Sequence, residues 1–370
     1  MRNRSFVFVF VAAASVLMAL HGSCAPSGEA PVPATQETAA GGAPELPPGE
    51  TLVSGDFSMR MPLGLQADSA YIPDANPLSE AKIALGKMLY FDGRLSRDGT
   101  ISCATCHLPE RGFSDGRPTS TGIGDQVGGR NAPTVINRLF SAEQFWDGRA
   151  EDLEAQALGP VQNPIEMGHT LEGMVSALDG IRGYREEFQT VFGGGITAER
   201  VAQAIASYER TVLAGNAPFD RYSAGDKPAL SAPAVRGMEI FNDPERGNCV
   251  TCHAGFNFTD ESYHNLGVGM DRPEPDLGRF VVSGEETDRG AFKTPTLRNI
   301  TQSGPYMHDG SEETLAEVID LYDRGGVKNP WLSAEMRPLN LSAEDKQDLI
   351  AFLESLTGEV TNADPPVSLP

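Results

Sequence analysis

The chain has 370 residues, of which 40% are hydrophobic and 22% are charged, and it contains only five cysteines. This length allows two to three domains, and the composition excludes a disordered polymer, a collagen-like chain and a disulfide scaffold. Acidic residues outnumber Lys and Arg by 51 to 29, which gives a formal net charge of −22. The charge argues against binding to nucleic acid or to an anionic membrane and favours cationic partners.

The N-terminus has the pattern of a secretory signal peptide. Arg2 and Arg4 precede an apolar run from Phe6 to Leu20, which is too short for a membrane-spanning helix but typical of the central part of a signal peptide. We therefore predict a signal peptide over residues 1–24 and a periplasmic location.

Cys24 lies at the predicted processing point, after Gly22 and Ser23. This start is similar to that of a bacterial lipoprotein, in which Cys24 would carry a lipid anchor. His21 stands where lipoprotein signals usually have Leu, and an ordinary signal-peptidase cut is the alternative. A stretch rich in Pro, Ala and Gly follows, and we predict it to be a flexible linker over residues 25–65.

The other four cysteines form two CxxCH motifs, Cys103-Ala-Thr-Cys106-His107 and Cys249-Val-Thr-Cys252-His253. Two thiols at this spacing can bond to the two vinyl groups of one porphyrin, and the following imidazole can bind its iron. The alternatives are two local disulfides or one zinc site made of four cysteines. We predict two covalently bound haem c groups, with His107 and His253 as iron ligands.

Similar segments precede the two motifs, which suggests an internal duplication. Residues 85–91 and 236–241 both have the pattern of a short amphipathic helix. Capping residues predict two further helices. The first is capped by Thr197 and stops before Gly215, and the second begins with a capping box at Ser342.

Strand signals are sparse, whereas the chain contains 40 Gly and 27 Pro. The predicted fold class is therefore mainly α, with two haem domains and long irregular loops. A stretch rich in Pro, Gly and Asp, residues 216–230, is the best boundary between them. The predicted division is an N-terminal haem domain, a C-terminal haem domain and a tail, over residues 66–220, 221–360 and 361–370.

Several segments resemble the bacterial di-haem cytochrome c peroxidase family, which includes the MauG-type protein oxidants. They include Gln-Phe-Trp-Asp-Gly-Arg and Asn-Pro-Ile-Glu-Met, and they lie at residues 85–91, 95–103, 129–134, 144–149, 159–167, 295–299 and 305–310. The resemblance covers residues 70–358. It implies two cytochrome c-like domains packed face to face, with hydrogen peroxide reduced at the N-terminal haem and electrons entering through the C-terminal haem.

The resemblance also implies roles for individual residues. Glu166 matches the acid-base carboxylate above the N-terminal haem, and Gln156 matches an amide of the same pocket. Trp146 matches the aromatic residue between the two haems. The alternative interpretation is a core Trp that packs at the domain interface. Asn131 matches a ligand of an interdomain calcium ion, with main-chain oxygens near Ser303 and Pro305 as its companions.

Two positions depart from the classical peroxidase pattern. Ile123 stands where the resemblance places a second, distal histidine ligand of the N-terminal haem, so this haem is expected to be five-coordinate and open to peroxide. His169 is the substitute ligand to consider, and we interpret it as a surface or pocket residue. His264 and His308 are interpreted as hydrogen-bonding partners of a haem edge.

The second departure is Tyr322, on a helix predicted over residues 311–324. It stands where classical members have an axial Met, and its register resembles the MauG-type arrangement in which a tyrosinate oxygen binds the second iron. A phenolate is a hard anionic donor that favours ferric iron, so the haem potential is expected to be low. Met307 and Met336 are the rival ligands.

Three functions follow from these expectations. The first is reduction of hydrogen peroxide with electrons from a small cytochrome c or a cupredoxin. The second, which Ile123 and Tyr322 favour, is MauG-like oxidation of side chains in a partner protein. The third is a di-haem electron-transfer cytochrome without catalysis. The family resemblance also suggests a homodimer.

Overall fold

Helices supply most of the regular structure in residues 46–370, the part of the chain that this computed structural model describes. The predicted signal peptide, Cys24 and residues 25–45 of the predicted linker lie outside it. The helices are α1 (Glu80–Tyr90), α2 (Cys103–Cys106), α3 (Leu153–Gln162), α4 (Leu171–Asp179), α5 (Arg182–Phe192), α6 (Ala198–Glu209), α7 (Pro218–Ser223), α8 (Ala232–Asn242), α9 (Phe280–Ser283), α10 (Leu315–Asp323) and α11 (Ala343–Glu354). Among the described residues no helix has the length and apolarity that crossing a bilayer requires.

The strands are short and form antiparallel pairs. They are β1 (Thr51–Ser54) with β2 (Phe57–Arg60), β3 (Ala214–Gly215) with β6 (Glu359–Val360), and β4 (Tyr263–His264) with β5 (Phe292–Lys293). Long irregular loops connect the helices, and the mainly α prediction is confirmed.

The predicted helix caps are present. The Thr197 side chain accepts a hydrogen bond from the backbone N–H of Arg200 at the start of α6. At the start of α11, Ser342 and Asp345 each accept a bond from the backbone N–H of the other, which completes the capping box. These bonds satisfy N–H groups that have no partner within the helix.

The same helix pair occurs twice, which supports the duplication. Helix α1 packs on α6, and α8 packs on α11. Each contact requires a glycine, because a Cβ atom on Gly86 would lie 1.8 Å from the carbonyl oxygen of Ala204, and one on Gly237 would lie 1.9 Å from that of Asp348. A glycine allows the two backbones to approach this closely.

Each helix pair has its own hydrophobic core. The first core is built on α1, α3, α4, α5 and α6, and the second is built on α8, α10 and α11. A third cluster joins the β1–β2 hairpin to Leu139 and Leu213 of the N-terminal half. Residues of both halves thus belong to one compact unit of the chain.

The β1–β2 hairpin corrects the predicted linker over residues 51–65. Leu52 alternates with exposed neighbours along β1, and the side chains of Leu52, Met61 and Leu65 are buried in the third cluster. Gly55, with a φ of +60°, makes the turn. An alternating pattern around a Gly-Asp turn is a hairpin signal, so the linker prediction was wrong here because it rested on composition alone.

The C-terminal residues return to the N-terminal half. Strand β6 pairs with β3, the Thr361 hydroxyl donates to the Thr211 carbonyl at 2.6 Å, and Tyr208 donates to the Asn362 carbonyl at 3.2 Å.

The predicted boundary between residues 220 and 221 falls inside α7, and the domain limits stay a prediction.

Replacing Asp220 by Ala is expected to lower the free energy of unfolding by about 3–5 kcal/mol, because it leaves Arg298 as an unpaired buried charge. Asp220 accepts two bonds of 2.9 Å from the Arg298 guanidinium, and both side chains are 1% exposed. The exposed pair Arg182–Glu186 provides the control, since Glu186→Ala should cost less than about 1 kcal/mol. Chemical denaturation measures both, and equal losses would contradict the expectation.

Candidate active site

A cavity of about 420 Å³ lies beside the first CxxCH motif. Its wall includes Cys106 and His107 together with Trp146, Gln156 and Glu166. The tertiary structure therefore places in one cavity wall the residues that the sequence predicted for the N-terminal haem site, with the exception of Cys103. Their functional roles stay predictions.

The two motif histidines have the same orientation. His107 Nδ1 lies 3.1 Å from the carbonyl oxygen of Phe113, and His253 Nδ1 lies 3.0 Å from that of Phe258. Burial lowers the pKa of both imidazoles, so each ring is neutral and donates its Nδ1 proton to the carbonyl. This tautomer leaves the Nε2 lone pair of each ring for a metal ion.

Among the described residues, no disulfide joins any two of the four motif cysteines. In residues 46–370 the one cluster of possible metal ligands is Cys252, Asp260 and His264, so the four cysteines do not form a zinc site. Cys106 and His107 of the first motif line the first cavity, and Cys249, Cys252 and His253 of the second motif line the second cavity. This donor set fits a covalently bound c-type haem.

A second cavity, of about 230 Å³, lies beside the second motif. Its wall contains Cys249, Cys252 and His253. Helix α10 lines it with the face that carries Tyr322, Leu315, Val318 and Ile319. Burial raises the pKa of the Tyr322 phenol, so a phenolate there requires a neighbouring cation.

The rival ligands Met307 and Met336 line the same cavity. His264 and His308 do so as well, which agrees with their predicted position at a haem edge. The His308 ring stacks on Phe292, with ring centroids 3.6 Å apart and the planes inclined by 10°.

Trp146 lies in the wall between the two cavities and lines both of them. Its indole N–H donates to the Asn131 carbonyl at 2.9 Å. Two backbone bonds of 2.8 Å join the halves of the chain at this point, from Lys293 N–H to the Trp146 carbonyl and from Asn131 N–H to the His308 carbonyl. Trp146 thus packs at the domain interface and also separates the two sites.

Glu166 lies in the turn that follows α3, and Gln156 lies on α3 itself. The Asn163 side-chain amide donates to Glu166 Oε1 at 2.7 Å. Burial raises the pKa of Glu166 and outweighs the opposite effects of Arg149 and Asn163. A carboxyl group with a raised pKa in a cavity suits an acid-base role.

Neither Ile123 nor His169 lines the first cavity. Ile123 is 3% exposed, and its backbone N–H donates to the Glu166 carbonyl at 2.8 Å. His169 Nδ1 accepts a bond from the backbone N–H of Thr170. Among the described residues, His107 is therefore the one histidine in the wall of this cavity.

Sequence reasoning missed two cations between the cavities. Arg138 and Lys293 line both cavities. Lys293 Nζ lies 2.5 Å from Glu261 Oε2, and burial, together with Arg138, lowers the pKa of Lys293 to about 8. Cations at this place would suit the anionic groups of a haem bound in either cavity. The internal duplication could have pointed to Lys293. Lys293 precedes a Thr-Pro-Thr segment in the second half, just as Asn131 precedes Ala-Pro-Thr in the first half.

The sequence matches two family models, di-haem cytochrome c peroxidase over residues 80–228 and cytochrome c over residues 234–357. It is 44% identical over 291 residues to the methylamine utilization protein MauG of Methylorubrum extorquens, covering 78% of this chain and 81% of that protein. It is 37% identical over 299 residues to the cytochrome c551 peroxidase of Pseudomonas aeruginosa, with 79% and 83% coverage.

The chain belongs to the di-haem cytochrome c peroxidase family. The fold agrees, since the crystal structure of a MauG-like protein associated with microbial copper homeostasis superposes with a TM-score of 0.73 at 33% identity, covering 78% of this chain and 93% of that one. Membership confirms the predicted family and fold class, and it makes the protein an oxidoreductase of the cytochrome c peroxidase type. Its two cytochrome c domains imply two c-type haems, and the family implies hydrogen peroxide as a reactant.

Proposed function

We propose that this peroxidase reduces hydrogen peroxide at the haem attached to Cys103 and Cys106, with Glu166 as the acid-base group. The observation that carries the proposal is that His107 and Glu166 line one cavity whose described wall contains no second histidine. A haem bound in this cavity would be held by His107, and no second histidine of the described wall would compete with peroxide for it.

Glu166 provides the proton transfer that this reaction requires. When bound, the haem supplies the redox chemistry that converts hydrogen peroxide, two electrons and two protons into two water molecules. The Glu166 carboxylate would accept a proton from one oxygen of hydrogen peroxide and return it to the other, which would leave as water as the O–O bond breaks with electrons that the haem would supply. Gln156 offers an amide that can hydrogen-bond to peroxide and orient it.

Cys249, Cys252 and His253 would hold the second haem, which would supply electrons to this site. Trp146 supports this route because its indole lies in the wall shared by the two cavities. The electron donor is a small cytochrome c or a cupredoxin, and the net charge of −22 favours a donor with a basic surface.

Oxidation of side chains in a partner protein is the second candidate function. Tyr322 favours it, because this residue faces the second cavity from α10. A phenolate ligand would lower the potential of the second haem and make that haem a store for oxidising equivalents. A relative named methylamine utilization protein MauG is 44% identical to this chain over 291 residues.

A donor assay separates the two candidates. With hydrogen peroxide and reduced cytochrome c, the first function predicts steady oxidation of the cytochrome, whereas the second predicts a rapid change in the haem spectrum without such turnover. An enzyme whose spectrum does not respond to peroxide would refute both and leave a simple electron carrier.

Calcium near Asn131 is a further part of the proposal. The Asn131 side-chain amide donates to the Arg117 carbonyl at 2.9 Å, so its oxygen is the atom available to a cation. Ser303 and Pro305 line the second cavity together with Asn131. Calcium analysis of the purified holoprotein tests this assignment, and a protein without calcium at full activity would refute it.

We also propose export to the periplasm through residues 1–24, a lipid anchor on Cys24, and assembly as a homodimer. The sequence pattern supports the first two, and the family resemblance supports the third. Mass spectrometry of the mature N-terminus and the mass in solution test them. A retained Met1 would refute export, an unmodified Cys24 would refute the anchor, and a monomeric mass would refute the dimer.

A further inference from the structure

The loop of residues 120–128, which we name the clamp loop, contains the position where a distal histidine was expected. Two backbone hydrogen bonds of 2.8 Å close it, from Gly122 N–H to the Gln126 carbonyl and from Gly128 N–H to the Ser120 carbonyl. Ile123 is buried outside the cavity wall, and its Cγ2 would lie 3.2 Å from a Cβ on Gly168. The loop therefore keeps a definite conformation without a metal ligand.

Two hydrogen bonds connect the clamp loop to the segment that carries Glu166. The backbone N–H of Ile123 donates to the Glu166 carbonyl at 2.8 Å. The Gln126 side-chain amide donates to the Pro164 carbonyl at 3.0 Å and to the Ile123 carbonyl at 3.1 Å. Gln126 thus joins the loop to this segment through Pro164, and its second bond holds the loop itself through Ile123.

Gly122 brings the two backbones into contact. A Cβ atom at this position would lie 2.1 Å from the carbonyl oxygen of Ile165 and 2.6 Å from that of Glu166. A side chain would separate the clamp loop from the Glu166 segment. The close approach that the hydrogen bonds require therefore depends on glycine at position 122.

Glu166 is also held from within its own turn. Asn163 donates its side-chain amide to Glu166 Oε1 at 2.7 Å and accepts the Glu166 backbone N–H at 3.1 Å. Asn163 orients the carboxylate, while the clamp loop holds the backbone on either side of Ile165. Together they fix both the position and the direction of the acid-base group.

We infer that the clamp loop positions Glu166 for proton transfer and that Gln126 is the positioning residue. The inference rests on the proposed function of Glu166. A loop that supplied a distal histidine would have to leave the iron before peroxide binds, whereas this loop supports the reactive geometry by staying in place. Positioning matters because a misplacement of about 1 Å can cost about 100-fold in rate.

Replacing Gln126 by Ala or by Glu tests the inference. Neither side chain can donate to the two carbonyls at neutral pH, so both variants are expected to slow the peroxide reaction of the N-terminal haem by about tenfold. Val127→Ala is the matched control, because this side chain is on the same loop and 65% exposed, and its rate should not change. Hydrogen exchange of the Ile123 amide should be faster in the Gln126 variants than in the control.

A double variant separates a positioning role from a general structural one. In the Glu166→Gln background, Gln126→Ala should cause no further loss, since its effect acts through Glu166. An equal loss of rate from Gln126→Ala in both backgrounds would contradict the inference. So would a Gln126→Ala variant whose peroxide rate and Ile123 hydrogen exchange are both unchanged while Glu166→Gln reacts slowly. A normal rate in Glu166→Gln alone would instead show that the proposed role of Glu166 has failed.

Discussion

Replacing Glu166 by Gln is expected to slow the reaction with hydrogen peroxide by about 10²- to 10⁴-fold, the usual contribution of a general acid-base group. The amide keeps the size of the side chain but cannot accept a proton from peroxide. Because Asn163 donates to Glu166 Oε1 at 2.7 Å, an amide oxygen in its place can keep that bond. Stopped-flow absorbance of the N-terminal haem measures the rate.

The pH dependence of the same reaction gives a second signature. Burial raises the pKa of Glu166, and the first proton transfer requires the ionised carboxylate. The wild-type rate should therefore fall as the pH drops through a pKa above the ordinary Glu value of about 4.3. The Glu166→Gln variant should not show this titration.

Glu172 provides the control for both measurements, because it is an exposed carboxylate on the neighbouring helix α4. Glu172→Gln should react as the wild type does. The resting spectrum of Glu166→Gln should also be unchanged, which shows that the haem site is intact. A near-normal peroxide rate in Glu166→Gln would contradict the acid-base role.

Replacing Tyr322 by Phe is expected to change the spectrum of the C-terminal haem and to raise its reduction potential. Loss of the phenolate removes a hard anionic ligand that stabilises ferric iron. The rise should be on the order of 0.1 V, since axial ligands set haem potentials over a range of about 0.8 V. Electron paramagnetic resonance of the resting enzyme and a redox titration measure these changes.

Met307→Leu and Met336→Leu are the matched controls, because both side chains line the same cavity as Tyr322. If Tyr322 is the ligand, neither substitution should alter the low-spin signal of the C-terminal haem. An unchanged signal in Tyr322→Phe together with a changed signal in one methionine variant would assign the ligand to that methionine. The second haem would then resemble that of a classical peroxidase.

Local signals predicted the elements that local chemistry controls. The caps at Thr197 and Ser342 were recognisable because each satisfies N–H groups within four residues of itself. The β1–β2 hairpin was missed, although it carries an alternating pattern and a Gly-Asp turn. Its short strands lie in a segment whose composition resembles a linker, and packing against Leu139 and Leu213 covers its apolar face.

The part of the candidate site that could be predicted from residue spacing is the pair of CxxCH motifs. The CxxCH motifs contain both thiols and the imidazole of one haem site, so their function is visible in five residues. The positions of Glu166, Gln156 and Trp146 were available only through the family resemblance, since many Glu and Gln residues lie on protein surfaces. Spacing also could not show that Arg138 and Lys293 line both cavities.

The sequence by itself predicted two c-type haems and the imidazoles that would hold them, because each predicted haem site is made of a few consecutive residues. Tertiary structure alone decided that Trp146 separates the two cavities and that the loop containing Ile123 supports Glu166. Those relations join residues that are far apart in the chain. They depend on how the two duplicated helix pairs pack together. A short stretch of sequence cannot show which distant residues this packing brings into contact.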